Sequence, residues 1–554
     1  MVTSLVIDMP PDADARFDRT VQRWFTDRFE LEPDRATNLG LHDHDASLPS
    51  GSRDHIDRLI EFHSAAIREM ERFDAAELSA DRSLDRDLLI HEARLILHEL
   101  SERRSWAGAT HAAQRIGDAL FPLMVHDFAP LPERLESAAG RLEAIPGFLA
   151  ETRRRVEEPV RLWVEVDMES TAALPLFLDS ILAAAGAEHV GDALTGRLET
   201  AVGHARAALA EHGDWLRADA APRATADWRT GPEQFEELLA LRALEAGADE
   251  ILAVGHEILA AEISARDAVC TEIDPTLDPL EVADVVKDDH PATFAEALDA
   301  YRESMDRART FVVEHELAGC PQHDTLRVVE TPVYLRPTHP FAAYYEPAPF
   351  DPEPTGIYIV TPPETAGMMR EHNYASISNT SVHEAYPGHH LQLATAVENP
   401  SRVRLMADSA AEFAEGWAFY CERLMKELGF DDTPRHRYIQ HTDAIWRACR
   451  IILDIRLHRG EIGTEEAVDF LVERTGFERP AAIAEVKRYT SSPTYQLSYL
   501  YGRHMIDELR RRVQRTMGPA FTPRFFHDTL LRGGTLPVSF ARRLFEARLG
   551  SLSA

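Results

Sequence analysis

Apolar residues recur at helical spacing along most of this 554-residue chain. Leu88, Ile96 and Leu100 stand among Asp, Glu and Arg, and similar patterns run through 134–160, 190–215, 231–268 and 292–316. That period predicts amphipathic helices. Pro- and Asp-rich breaks near 218–232 and 272–292 read as loops. The pattern changes at about residue 325. The stretches 327–330, 333–335, 342–345 and 356–360 read as short strands, and helical text resumes at Ser376. The expected fold is mainly α, with a helical region over 1–325. A second region, 326–554, opens on a small antiparallel sheet next to the helix that carries the chain's densest chemistry. An edge strand of that sheet could pair with an extended peptide, or the sheet could be purely structural.

Composition narrows the partners. Acidic residues outnumber basic ones for a net charge of -34, which argues against nucleic acid or an anionic membrane. Cys270, Cys320, Cys421 and Cys449 show no CxxC spacing and read as free thiols in a reducing, cytoplasmic setting. Residues 1–16 carry no basic-then-apolar signal pattern. The most apolar run, 172–187, contains Pro175 and Asp179 and reads as too short to span a bilayer. Oligomeric state is left open.

The stretch His383-Glu384-Ala385-Tyr386-Pro387-Gly388-His389-His390 holds a His-Glu pair and two further imidazoles. Neutral imidazoles bind zinc, and an adjacent carboxylate can take a proton from water activated by the metal. The common pattern places the second His four residues after the first, on one helical face; here that position is Pro387. In an ideal helix His389 points away from His383. His390 returns to the same face but lies roughly 10 Å along the axis, beyond the reach of Zn–N bonds of about 2 Å. Pro387 offers no N–H to the carbonyl of His383 and crowds that turn, while Gly388 accepts unusual backbone angles. A kink is therefore expected to swing His389 back toward His383. The cluster Ser378 to Ser381 could cap the helix start. Other His-Glu pairs, at His91, His256 and His315, sit in amphipathic text and read as solvated faces. The competing reading of the motif is a kinked helix with surface histidines.

Glu415 is the candidate third ligand. It sits in Phe413-Ala414-Glu415-Gly416-Trp417-Ala418-Phe419-Tyr420, a helix apolar on most sides. A carboxylate buried there needs a cation, a hydrogen bond or a proton. Glu412 and Glu422 are fallbacks. Arg447, Arg450, Asp454 and His458 share one helical face. Asp454 could orient His458 toward a substrate oxygen, or the four could form a surface ion-pair ladder. Tyr495, Tyr499 and Tyr501 could supply a hydroxyl to an oxyanion or serve as packing tyrosines. Arg503 or Arg510 could grip a substrate carboxylate.

With these residues assembled, the chain resembles the DUF885 family. The likeness rests on His383 through Gln392, Glu415-Gly416-Trp417-Ala418, Asp454 with His458, Tyr499 with Gly502, Gly533-Gly534-Thr535-Leu536-Pro537 and Pro33 through Gly40. Pro493-Thr494-Tyr495 departs from the Pro-Gly-Gln common there. The family in turn is similar to helical gluzincin peptidases such as angiotensin-converting enzyme and thimet oligopeptidase. That resemblance implies a two-lobed helical fold enclosing a deep groove. It implies one zinc ion held by His383, His389 and Glu415; on the reading of the residues themselves, Glu384 would be the general base and Tyr499, with His458, would steady the oxyanion. The expected activity is hydrolysis of short peptides. Alternatives are a metal-dependent amidohydrolase acting on a non-peptide substrate and a non-catalytic helical binding protein with a degenerate site.

Overall fold

Helices make up most of the chain, and their buried faces follow the apolar spacing. In Phe294–Glu314 the buried positions are Ala297, Tyr301, Ser304, Met305, Ala308 and Val312, and Thr293 with Glu296 closes a capping box at its start. The computed structural model describes residues 12–331, 336, 342–363, 365–407, 409–550 and 552; the strand expected at 333–335 lies outside them. One large apolar core draws on residues from Phe17 to Phe545. A second gathers residues from Ala112 to Leu209, with Ile357 and Ile359.

A three-stranded sheet stands between these cores. Its strands are β1 (Thr325–Glu330), β2 (Ala342–Tyr345) and β3 (Thr355–Val360), in the order β1-β3-β2. β1 runs parallel to β3 and β2 antiparallel to it, so the sheet is mixed where an antiparallel one was expected. The reason lies in β3, which is apolar and buried over nearly its whole length. Such a strand belongs at the centre of a sheet. Tyr358 and Val360 pack into the large core, while Ile357 and Ile359 pack into the second. The chain between β1 and β3 returns to its starting end, which aligns the two strands, and β2 pairs on the opposite edge.

Five helices carry the candidate chemistry: α1 (Tyr374–Glu384), α2 (His389–Val397), α3 (Ala411–Glu427), α4 (Pro434–His458) and α5 (Leu500–Met517). α1 starts earlier than the Ser378–Ser381 cluster suggested. Asn373 caps it by accepting from the Ser376 N–H at 2.9 Å, and Ser378, Asn379 and Ser381 lie buried within the helix. α3 and α5 cross backbone to backbone. A Cβ on Gly416 would stand 2.4 Å from the carbonyl carbon of Gly502, and one on Gly502 would stand 2.1 Å from the Glu412 oxygen. Only glycine fits on both sides.

Other readings need correction. His91 and Glu92 are buried rather than solvated, and the His91 ring packs 5.2 Å from Phe540; His256 and His315 are exposed. The apolar run at 172–187 belongs to a longer helix, Arg161–Glu188, that continues through Pro175. By length and composition that helix could cross a membrane, with a mean hydropathy of 1.4 over its most apolar window. All four cysteines are free.

Candidate metal centre

Residues 385–388 form the break between α1 and α2. The Ala385 N–H still reaches Ser381 O at 3.0 Å, but the Gly388 N–H reaches back six residues to Val382 O, also at 3.0 Å. That longer step absorbs the two residues by which this motif exceeds the common spacing. Pro387 has no N–H to give, and its carbonyl accepts from Trp417 Nε1 at 2.8 Å, tying the turn to α3. Gly388 lies so close to the preceding turn that a Cβ would stand 1.8 Å from His383 O. Its φ is -69°, so the glycine serves close approach rather than a left-handed backbone.

The break brings His383, His389 and Glu415 together. One donor atom from each lies within 4.8 Å of the other two. The Nε2 atoms of His383 and His389 stand 3.6 and 3.5 Å from the same oxygen, Glu415 Oε2. Those separations exceed a good hydrogen bond. They match the spacing of about 3.4 Å between ligands that sit 2.0–2.1 Å from a tetrahedral zinc, so these two separations, and the donor types, fit that ion. His383 Nδ1 bonds Glu422 Oε1 at 2.7 Å, which leaves Nε2 free to face a metal. Asn379 Nδ2 donates to Glu422 Oε2 and to Asp443 Oδ2, both at 2.9 Å.

The electrostatics favour a cation. Burial disfavours a charged His383, yet the carboxylates of Glu415 and Glu422 outweigh it and raise the pKa to about 10. Burial likewise opposes ionisation of Glu415, yet the two imidazoles hold it well below the usual carboxylate range. Carboxylates that draw a proton onto a buried ring also draw a divalent ion.

His390 turns away from this centre. It is fully buried, its Nδ1 bonds the Tyr344 hydroxyl at 3.0 Å, and its Nε2 faces Asp324 Oδ1 at 3.4 Å. Glu412 is occupied by Arg242, 3.2 Å away. Glu384 lines a cavity of about 1000 Å³ together with the three donors, Tyr495, Tyr499, Arg447 and Arg450. The wall also includes Ala343 to Glu346, from β2 and just beyond it. The Tyr495 hydroxyl donates to Glu415 Oε1 at 3.2 Å. Burial and the Glu415 charge raise the pKa of Tyr499, keeping its hydroxyl protonated as a donor.

The structure does not bring His458 to the site. Its ring is buried, with Nε2 bonded to Tyr489 O at 3.0 Å and Nδ1 close to Thr230. Nor do Arg503 and Arg510 reach it. Both line a separate cavity, Arg503 pairing with Glu262 at 3.3 Å and Arg510 lying over the Tyr420 ring. Sequence reasoning placed Asn379 only in a capping cluster and did not single out Asp443. Their positions one turn and more from His383 and Arg447 were visible, but nothing in a single chain marks a polar residue as lying behind a ligand.

The family described as "Bacterial protein of unknown function (DUF885)" matches residues 33–544. A chain from Shewanella oneidensis described as "a putative lipoprotein of unknown function" is 23% identical, with a TM-score of 0.78 over 95% of this chain and 99% of that one. A "putative lipoprotein" from Colwellia psychrerythraea is 17% identical, with a TM-score of 0.81 over 97% and 99%. Identities this low establish a shared fold. Among curated proteins none matches.

Proposed function

The chain belongs to the DUF885 family, and from the geometry of its site we propose that it is a zinc-dependent hydrolase acting on short peptides. The observation that carries this reading is the meeting of His383, His389 and Glu415 donor atoms within 4.8 Å at the wall of a cavity that Glu384 shares. Zinc held there would act as a Lewis acid and lower the pKa of water into the neutral range. The chain's own residues would do the rest. Glu384 takes a proton from the attacking water and delivers it to the departing amine. Tyr499 presents a hydroxyl where negative charge develops, such a donor contributing on the order of 10²-fold in rate. Glu422 keeps the His383 ring in the ligating tautomer.

Similarity to helical gluzincin peptidases is part of the proposal, as is a groove between two lobes. Both are supported by two imidazoles and a carboxylate on neighbouring helices, and by a cavity whose wall reaches from Arg35 to Thr535. A peptide substrate is supported by β2, an edge strand that contributes to that wall and could pair with an extended chain. For location, the four free thiols favour a reducing, cytoplasmic setting. The two solved structures named above carry the description "putative lipoprotein", and cell fractionation of the native protein decides between the two settings.

The test is metal analysis of protein purified without chelator, followed by a panel of short peptides. Close to one zinc per chain and cleavage abolished in Glu384→Gln, with zinc retained, are expected. Under a tenth of an equivalent of any divalent metal, or full turnover by that variant, would overturn the reading.

A further inference from the structure

Arg450 is the least explained group in the cavity wall. It is 3% exposed. Its guanidinium lies between two rings, 4.1 Å from the centre of Trp446 and 4.7 Å from that of Tyr499. Nη2 donates to Glu485 Oε2 at 3.1 Å and the Tyr489 hydroxyl lies nearby, but Nε and Nη1 are buried without a hydrogen bond of good geometry. Glu485 is also shared, accepting from Arg488 at 2.9 Å and from the Tyr489 hydroxyl at 2.7 Å. One turn earlier, Arg447 lines the same cavity. It donates to Asp443 at 3.1 Å while its Nε stays unpartnered. A buried guanidinium with unmet donors is unfavourable, and the group that best completes it is a carboxylate. Tyr499 connects this corner to the metal centre: its ring lies 6.2 Å from that of Tyr495, whose hydroxyl bonds Glu415.

We propose that Arg450, with Arg447 beside it, receives a carboxylate of the substrate, so that the preferred substrates carry a free carboxylate close to the bond that is cut. This rests on the hydrolase reading above. The carboxylate can be a chain terminus or an acidic side chain, and the two are separable.

The probes are N-acetyl-Phe-Ala as the free acid, the same dipeptide as its C-terminal amide, and N-acetyl-Phe-Glu amide. Binding is measured by calorimetry, and by emission of the tryptophan that Arg450 stacks on, using zinc-supplemented full-length Glu384→Gln. At least one carboxylate-bearing probe should bind about ten- to a hundredfold tighter than the uncharged amide. Tighter binding of the free acid assigns a chain terminus, and tighter binding of the Glu amide assigns a side chain. The preference should vanish in Arg450→Met and shrink severalfold in Arg447→Met, which serves alone if the first variant does not fold. Equal binding of all three probes, or a preference untouched in a folded Arg450→Met protein, overturns the proposal. Hydrolysis by the unaltered protein separates the two claims. Equal cleavage of acids and amide leaves the peptidase and removes the carboxylate site. Selective binding without cleavage of any peptide leaves the carboxylate site and removes the peptidase.

Discussion

Replacing Gly388 by alanine would place a methyl group where two backbone carbonyls already stand. The new Cβ would lie 1.8 Å from His383 O and 2.4 Å from Val382 O. Both are main-chain atoms of α1, so no rotamer change relieves the clash, and one backbone must retreat by more than 1 Å. Metal–ligand distances tolerate about 0.2 Å. His389 follows residue 388 directly and would be carried out of common reach with His383 and Glu415. Losing a ligand should weaken zinc binding by at least the roughly 100-fold seen when a group behind a ligand is removed. Crowding should cost a further 1–3 kcal/mol or so of stability. The assay is zinc titration against a competing chelator, alongside thermal unfolding. Gly196→Ala is the control. That glycine is exposed within the helix Asp192–Trp215 with no atom within 4 Å of a built Cβ, so alanine should add about 0.5–1 kcal/mol and leave zinc affinity alone. If Gly388→Ala holds zinc as tightly as the unaltered chain, the account of how His389 is positioned is wrong.

Glu422→Gln removes the charge behind His383 Nδ1 and should lower zinc affinity by about 10- to 100-fold; unchanged affinity in the same titration would sever that link. Thr494 is a β-branched residue at φ 67°, a left-handed backbone that strains any residue with a Cβ. Thr494→Gly should therefore raise the denaturant midpoint, by about 1 kcal/mol of stability, and a lowered midpoint would refute this. His63 is fully buried with both ring nitrogens unpartnered; burial, with Arg28 nearby, pushes its pKa down to about 4. The unfolded ring binds a proton near 6.5, so the unfolded state holds more protons between those values and stability falls as pH drops from 6.5 to 4. His63→Leu should flatten that limb by up to about 3 kcal/mol; an unaltered slope in melts across this range counts against it.

The helical character and the bend at Pro387-Gly388 were legible because each is local: apolar spacing and backbone chemistry act within a few residues. Glu415 was legible because an acid among Phe413, Trp417 and Phe419 needs a partner. The sheet was less so. Strands 327–330, 342–345 and 356–360 were found nearly as they stand. Their pairing depends instead on which strand the two cores claim, and that is set by distant residues. On α4 the shared face of Arg447, Arg450, Asp454 and His458 was read correctly, yet a face does not give depth. From Arg450 to His458 the helix advances about 12 Å, enough to carry the second residue from the cavity wall into the contacts of Trp228 and Phe235. Thr494 shows the converse: its backbone, at φ 67°, favours glycine, and no spacing along the chain announces that.

Because successive side chains of β3 serve opposite cores, loosening either core is expected to disturb the other. Its amides should exchange with solvent only when the entire chain opens. β2, which helps to enclose the space where a substrate would lie, hangs from that strand. Any recognition there would thus rest on a floor fastened to a strand that both cores share, with the motion that admits a ligand expected from the helices opposite.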